Sequence, residues 1–439
     1  MALVDDLLKV RESELPELTR IDDYLRGRHD SVYVPRAARQ EFRWIVQRAR
    51  VNVLPLVVDT IAQSLYVDGF RTPTATEDSA GWATWQANRM DARQTGIHRA
   101  ALSFGASYLL IEPGDTAPVW TPRTPLTCTA VYDDPATDEW PVAALLRDGA
   151  RRFRLIDATT IYDYEITEQG NKAKLVGQVG HDIGLVPVVR FLNTYDPDGR
   201  VTGEVGPLIP LQDQINFTTY GLLMAQQFAA FRQRWVTGMV VPEDAEGRPI
   251  EPFDAAVNRL FIGDSPDTRF GEFDQTDLSG YLASRESTMR NLATIAQVPP
   301  HHLIGTMANL SAEALAAAEV QQQRKIAERK AIFGESYEQA FRLSARISGD
   351  AEGAADIVSQ VVWRDTEARS MSQTADALGK LAEMLQVPVE MLWEKIPGWT
   401  QTDVERARAL REDTDSLGQL TALLTGQATE VEAVDGVDG

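Results

Sequence analysis

Residues 206–238 read GPLIPLQDQINFTTYGLLMAQQFAAFRQRWVTG. After the glycine–proline opening, this stretch predicts a long helix over about Leu208 to Trp235. Leu208, Leu211, Ile215 and Leu222 trace one apolar stripe, and Met224, Phe228, Phe231 and Trp235 trace another. Two stripes mean contact on more than one side, as in a helix packed among neighbours. Just upstream, the glycines between Gly199 and Pro207 read as a hinge. Downstream the texture changes to strand, clearest in Trp235–Val241 and Leu260–Ile262, with Pro242, Gly247, Pro249, Pro252 and Gly263 as punctuation. A second helix is predicted over about Asp277 to Val298, with Leu278, Leu282, Met289, Leu292 and Ile295 on its apolar face. Pro299-Pro300 stops it, because neither residue can donate a helical hydrogen bond. A loop, His301 to Leu310, follows.

Outward from this excursion the chain is helical on the C-terminal side. Leu310 to about Ile347 has no proline and is rich in Ala, Glu, Gln, Lys and Arg, which predicts an unbroken helix about 55 Å long. Gly334 is a candidate bend, and Ile326, Phe333, Tyr337 and Phe341 keep an apolar side. Val361-Val362-Trp363 reads as a short strand, and residues 367–395 as helices. The segment from Glu412 to Gly439 carries seven acidic residues and no Lys or Arg, and its end is expected to be disordered. On the N-terminal side, residues 1 to about 30 predict one or two amphipathic helices, with Pro16 breaking or restarting the pattern. Residues 36–66 and 78–105 are helical by periodicity, the latter carrying Trp82 and Trp85 as core candidates. Residues 106–192 change to strand-like runs, among them Ser107–Ile111, Thr127–Tyr132, Val142–Leu146, Phe153–Ile156, Thr160–Tyr164 and Lys174–Val176. The fold class is therefore α+β, mostly helical.

The length of 439 residues sets a soft prior of about three domains. The formal net charge of -21 would repel a nucleic-acid backbone. It serves solubility, or a surface that must face DNA without sticking to it. The single cysteine, Cys128, can make no intramolecular disulfide and reads as a structural thiol on a strand. The start MALVDDLLKV lacks a basic leader, and the apolar stretch Val51–Val67 is interrupted by Asn52, Pro55, Asp59 and Gln63, so a membrane role is not expected.

Chemistry-bearing motifs are missing. The histidines make no HExxH, and His301-His302 are adjacent, which reads as capping or solvent contact rather than a metal site. There is no phosphate loop, dinucleotide fingerprint or nucleophile elbow. No enzymatic activity and no cofactor are expected. Arg36, Arg39, Arg43, Arg48 and Arg50 form a basic stretch that could touch phosphate or a neighbouring subunit, or be a solvated face.

A helix that leaves, makes a small insert and returns is a spike, and its extra apolar stripe is most easily buried in a ring of copies. This order of parts resembles the portal family of tailed double-stranded-DNA phages, of the siphophage type. Four stretches carry the resemblance: NVLPLVVDTIAQSLYVDGF (52–70), HRAALSFGASYLLIE (98–112), Gly206–Gly238 and Ala296–Gln323. It implies a wing from residues 1–205 and 312–365, stem helices at 206–234 and 277–298, and a clip at 235–276. It also implies a tunnel loop at 299–311 and a small helical crown from 366 to 439. The implied tunnel-loop residues facing DNA are Gly305, Thr306, Met307, Ala308 and Asn309. The implied partner-docking residues of the clip are Met239, Val241, Glu243, Arg248 and Phe261. The implied intersubunit stem residues are Phe228, Phe231, Arg232, Leu282, Arg285 and Met289. The family reading implies a homo-oligomeric ring of about twelve subunits at a capsid vertex of the virion, assembled in the host cytoplasm. Double-stranded DNA would pass through it without sequence specificity. The terminase large subunit, a head-completion or adaptor protein, and the major capsid and scaffold proteins would be its partners. The alternative is a non-portal helical capsid-assembly or scaffold protein.

Overall fold

A computed structural model describes residues 2–33, 43–71, 79–166, 173–230, 234–238, 266–272, 277–305, 312–364, 371–396, 398–399 and 403–411. The elements run α1 (Ala2–Leu25), α2 (Arg43–Arg48), α3 (Leu54–Ala62), β1 (Val67–Arg71), α4 (Ser79–Ala87) and α5 (Met90–Phe104). The strand region follows: β2 (Ala106–Glu112), β3 (Val119–Arg123), β4 (Cys128–Val131), β5 (Ala143–Arg147), β6 (Arg152–Ile156), β7 (Thr160–Ile166), β8 (Ala173–Gly180) and β9 (Val188–Leu192). Then come α6 (Ile209–Ala230), β10 (Arg234–Thr237), β11 (Arg269–Glu272), α7 (Ser279–Ala296) and α8 (Pro300–Ile304). The rest is α9 (Ala312–Ser348), α10 (Ala351–Ala355), β12 (Gln360–Trp363), α11 (Met371–Leu385) and α12 (Val389–Leu392). The chain divides into two compact units: residues 1–21, 58–206 and 312–439, and residues 22–57 with 207–311.

In the first unit, β4-β5-β6-β7-β8 form an antiparallel sheet in that order. Side chains alternate across it, as strand geometry requires. Ala144, Leu146 and Ile156 join a core with Tyr108, Cys128 and Val188. Ala143, Leu145, Phe153 and Leu155 pack on the other face against Val4 and Leu7 of α1. A three-stranded sheet, β3-β2-β9, and the pair β1-β12 complete the strands. Against them lies an aromatic core. Phe70 stacks on Phe341 at 4.0 Å, Phe191 meets Tyr337 edge-on at 4.7 Å, and Trp85 meets Tyr337 edge-on at 5.3 Å. Trp85 and Trp120 are fully buried; of the two tryptophans whose helical spacing predicts core, Trp85 is buried and Trp82 half-buried. The Trp120 indole donates to the Ser344 hydroxyl (2.8 Å), so its polar edge is satisfied. Cys128 is also fully buried, and burial pushes its thiol up to about 12.

Several sequence expectations are revised. Pro16 lies inside a continuous α1, which tolerates the one hydrogen bond that proline removes. The helix expected over 78–105 breaks at Arg89, which adopts a left-handed conformation between α4 and α5. α9 runs through Gly334 as one helix, and a Cβ there would make ordinary contact with Val361 at 3.5 Å.

The expected hinge is the largest revision. A Cβ on Gly203 would lie 2.3 Å from the Ser103 carbonyl oxygen, so the irregular segment at Gly203 is packed against the end of α5 and admits no side chain there. Beside it, Glu204 accepts from Lys325 (2.5 Å) and Arg329 (3.3 Å), while Asn193 accepts from Arg329 (2.8 Å) and donates to Glu204 (3.2 Å). Both cationic side chains are 5% exposed. Burial lowers the Lys325 pKa, and the Glu204 carboxylate opposes that shift. Gly203 and Glu204 are thus held within the first unit, because breaking a buried ion pair strands a charge away from water.

Candidate functional site

The second unit holds the out-and-back excursion. A 3-10 turn at Gly206–Leu208 leads into α6, and Pro210 sits in the first turn, where a missing N–H costs no helical bond. Leu208, Ile209, Gln212, Ile215, Asn216, Thr219 and Leu222 are buried, a stripe at helical spacing. Two of these residues are amides whose oxygen and nitrogen both have partners. Gln212 Oε1 accepts from the Val53 N–H (3.0 Å), and its Nε2 donates to the Val51 carbonyl (2.6 Å) and to Asn216 Oδ1 (3.0 Å). Asn216 Oδ1 also accepts from the Val51 N–H (3.2 Å), so its Nδ2 must face His29 Nδ1, 2.9 Å away. His29 Nε2 lies 3.1 Å from the Tyr24 carbonyl. The fixed backbone donors and acceptors at both ends set the direction of every bond, with His29 Nε2 donating and Nδ1 accepting. The Tyr24 hydroxyl donates to Asp213 (2.6 Å). The root of α6 is thereby tied to residues 24–30 and 51–53 by hydrogen bonds rather than by bulk.

α6 packs along α7, the chain leaving on one and returning on the other. Gly221 permits the approach: a Cβ there would lie 3.0 Å from the Tyr281 ring. At the start of α7, the Ser279 N–H and hydroxyl donate to Asp277 and hold its carboxyl below the usual range. Thr288, Met289, Leu292, Ala293 and Ala296 are buried. Gln297 ends α7 in a left-handed conformation. Pro300 then starts α8, so the expected loop opens as a helical turn, capped by Gly305 at φ +73°. The beginning of the insert is also seen: β10 pairs antiparallel with β11, Trp235 opposite Gly271. α6 ends at Ala230, so Trp235 sits on β10 and does not extend the helical stripe.

The residues expected to carry function divide accordingly. Leu282 is 50% exposed on α7, Arg285 is half-buried, and Met289 is already buried within the single chain. Phe228 lies on α6. Phe231, Arg232, Met239, Val241, Glu243, Arg248, Phe261, Thr306, Met307, Ala308 and Asn309 lie outside the described residues. Two positions that the sequence reading did not single out as interface residues are Phe217, 61% exposed on α6, and Ile295, 57% exposed on α7. Phe217 falls on neither apolar stripe, and that offset was the available signal. Ile295 was legible only as part of the apolar face of its helix.

The family model for phage portal proteins of the SPP1 Gp6-like type matches residues 5–417. The portal protein of Mycobacterium phage D29 is 28% identical over 395 residues, covering 84% of this chain and 80% of that protein. The portal protein of Mycobacterium phage L5 is 27% identical over 375 residues, covering 80% and 74%. Among solved structures, the chain is similar to one from the virion of a native gene transfer agent particle (14% identity, TM-score 0.47, 84% of this chain and 96% of that chain). It is also similar to one from the neck of a native gene transfer agent particle computed with C12 symmetry (13%, TM-score 0.47, 83% and 94%). The family match spans the whole excursion and the long helix after it, and it sets aside a non-portal scaffold. The chain therefore belongs to the SPP1 Gp6-like family of phage portal proteins and is a portal subunit of a phage capsid.

Proposed function

We propose that copies of this chain close into a ring of about twelve around a channel for double-stranded DNA. In this reading α6 and α7 are the stem, the insert between them is the clip that docks the terminase motor and later a head-completion protein, and Gly305–Ser311 faces the DNA. The subunit acts by shape and surface rather than by catalysis, and it assembles in the host cytoplasm before joining the virion.

The observation that carries the proposal is the surface of the α6–α7 pair. α6 has one charged residue, Asp213, in its 22 residues, and that carboxylate is held by Tyr24. Phe217, Leu282 and Ile295 stay 61%, 50% and 57% exposed on the isolated chain. A helix with a single charge, α6, and open apolar side chains on both α6 and α7 are unsuited to lifelong exposure to water and suited to neighbours, although α7 also carries Arg285, Glu286 and Arg290. The overall charge of -21 suits a conduit that must not grip phosphate. Electron microscopy of the purified full chain is the test, with rings enclosing a central hole as the expected image. Monomers or dimers under all conditions would overturn the ring.

A further inference from the structure

α11 has two faces. Asp376, Lys380 and Glu383 fall on one, the first two paired at 2.7 Å. Leu378, Leu381, Met384 and Leu385 fall at helical spacing on the other. This apolar face is open, with Met384 76% and Leu385 69% exposed. The chain then turns at Gln386, which is left-handed, and the Val387 N–H donates to the Leu381 carbonyl (3.4 Å). α12 follows directly and adds Val389 and Met391, both exposed. Residues 403–411 form the last described helical stretch. Its end is anchored, because Arg411 pairs with Glu390 of α12 at 2.5 Å and lies over the Trp393 ring. The described chain therefore stops beside α12, next to the end of α11 that carries Met384 and Leu385.

The sequence beyond Arg411 holds a matching segment. After Glu412-Asp413-Thr414 comes DSLGQLTALLTG, residues 415–426. Leu417, Leu420, Leu423 and Leu424 fall on one side at helical spacing. Asp415 is a residue type that caps a helix start, and Gly426 one that ends a helix. The residues between them predict a helix about 15 Å long, against about 10 Å from Leu378 to Leu385. We infer that residues 416–425 fold as a short amphipathic helix and lie across the Leu381, Met384 and Leu385 face of α11 in the same chain. The spacer 412–415 makes a short bridge back from α12 to the near end of α11. So short a tether holds the leucines at a high effective concentration over that face, which a free partner or a second copy must outcompete. Apolar meets apolar, so the lack of Lys and Arg in the tail costs nothing at the contact. The inference stands on α11 and the tail and does not depend on ring closure.

The test is amide hydrogen exchange over residues 376–385 in the full chain, in a chain ending at Gln427, in one ending at Arg411, and in the full chain with Leu420→Asp and Leu424→Asp. Exchange should be about tenfold or more slower in the first two than in the last two. Equal exchange in the full chain and the double variant overturns the inference. Should the chain ending at Arg411 misfold, the double variant decides alone. A second measurement reports which copy supplies the tail. Met384→Cys and Leu420→Cys are introduced together and bridged with a short bis-maleimide, to which the buried Cys128 is unreactive. The expected product runs as a single chain on a denaturing gel. A ladder of linked chains overturns the inference, because it assigns the α11 face to a neighbouring copy. Rings missing under the microscope would sink the ring reading and leave this contact standing, so the two fail separately.

Discussion

The first unit fills its interior with rings, Trp85, Trp120, Phe191, Phe333 and Tyr337 all fully buried and Phe341 nearly so. The second adds buried amides, Gln212 and Asn216, to the apolar side chains Leu208, Ile209 and Ile215 at the root of α6. The difference lies in what each material fixes. Aromatic packing is dense and strong, but several neighbouring arrangements give similar energy. A chain of hydrogen bonds with fixed direction has one solution and fails if the helix rotates or slips. The unit whose α6–α7 pair leaves Phe217, Leu282 and Ile295 exposed is thus the one whose helix root is set by direction.

Four substitutions or conditions sharpen that contrast. Phe341→Ala, in the aromatic core, should destabilise the first unit by about 3–5 kcal/mol, read by denaturant unfolding. Asn216→Leu, in the polar root, leaves the Val51 N–H, a Gln212 N–H and His29 Nδ1 without their partner. It should cost about 1–3 kcal/mol. It should also raise amide exchange at residues 51–53 while leaving the core around Trp85 protected; equal loosening of both units would erase the distinction.

Acid should act on the first unit through His98, which is fully buried and whose imidazole burial pushes down to about 3. Between that value and the ordinary pKa of about 6.5, the unfolded chain binds a proton that the folded chain refuses. The contribution is therefore complete above about pH 6.5 and is lost as pH falls, by up to about 1.4 kcal/mol per pH unit. Unfolding at pH 7.5 and 5.5 should show this slope, and His98→Gln should flatten it. The smallest effect is expected for Gly221→Ala. The helical preference for alanine, about 1 kcal/mol, is set against a 3.0 Å approach to the Tyr281 ring, which must give way. A net change within about 1 kcal/mol is the expected result.

Much of this was legible in the residues. Alternating apolar positions located β2, β4, β5, β6, β7 and β8, and unbroken helix-forming composition located α9 to within two residues at its start. What escaped depends on partners distant in sequence. β3 contains Pro122 and β1 contains Gly69, both poor strand formers, and each becomes a strand because a neighbour pairs with it. Gly199–Pro207 looked like a hinge because glycines read as freedom; Gly203 is there for lack of room against Ser103. The site was half legible. Helix periodicity found the paired helices, yet it could not tell that Met289 turns inward while Phe217 stays open, since both are simply apolar letters on a helix. The closing acidic segment lies outside the described residues.

Cys128 has a practical consequence. The chain's one thiol is sealed between sheet strands and resists ionising until about pH 12, while alkylating probes attack the thiolate. The natural protein is therefore chemically silent toward such probes. A cysteine placed at position 217, 282 or 307 would be the sole reactive handle on each copy, so distances between neighbouring subunits could be read by spin or fluorescence labels with no background to subtract.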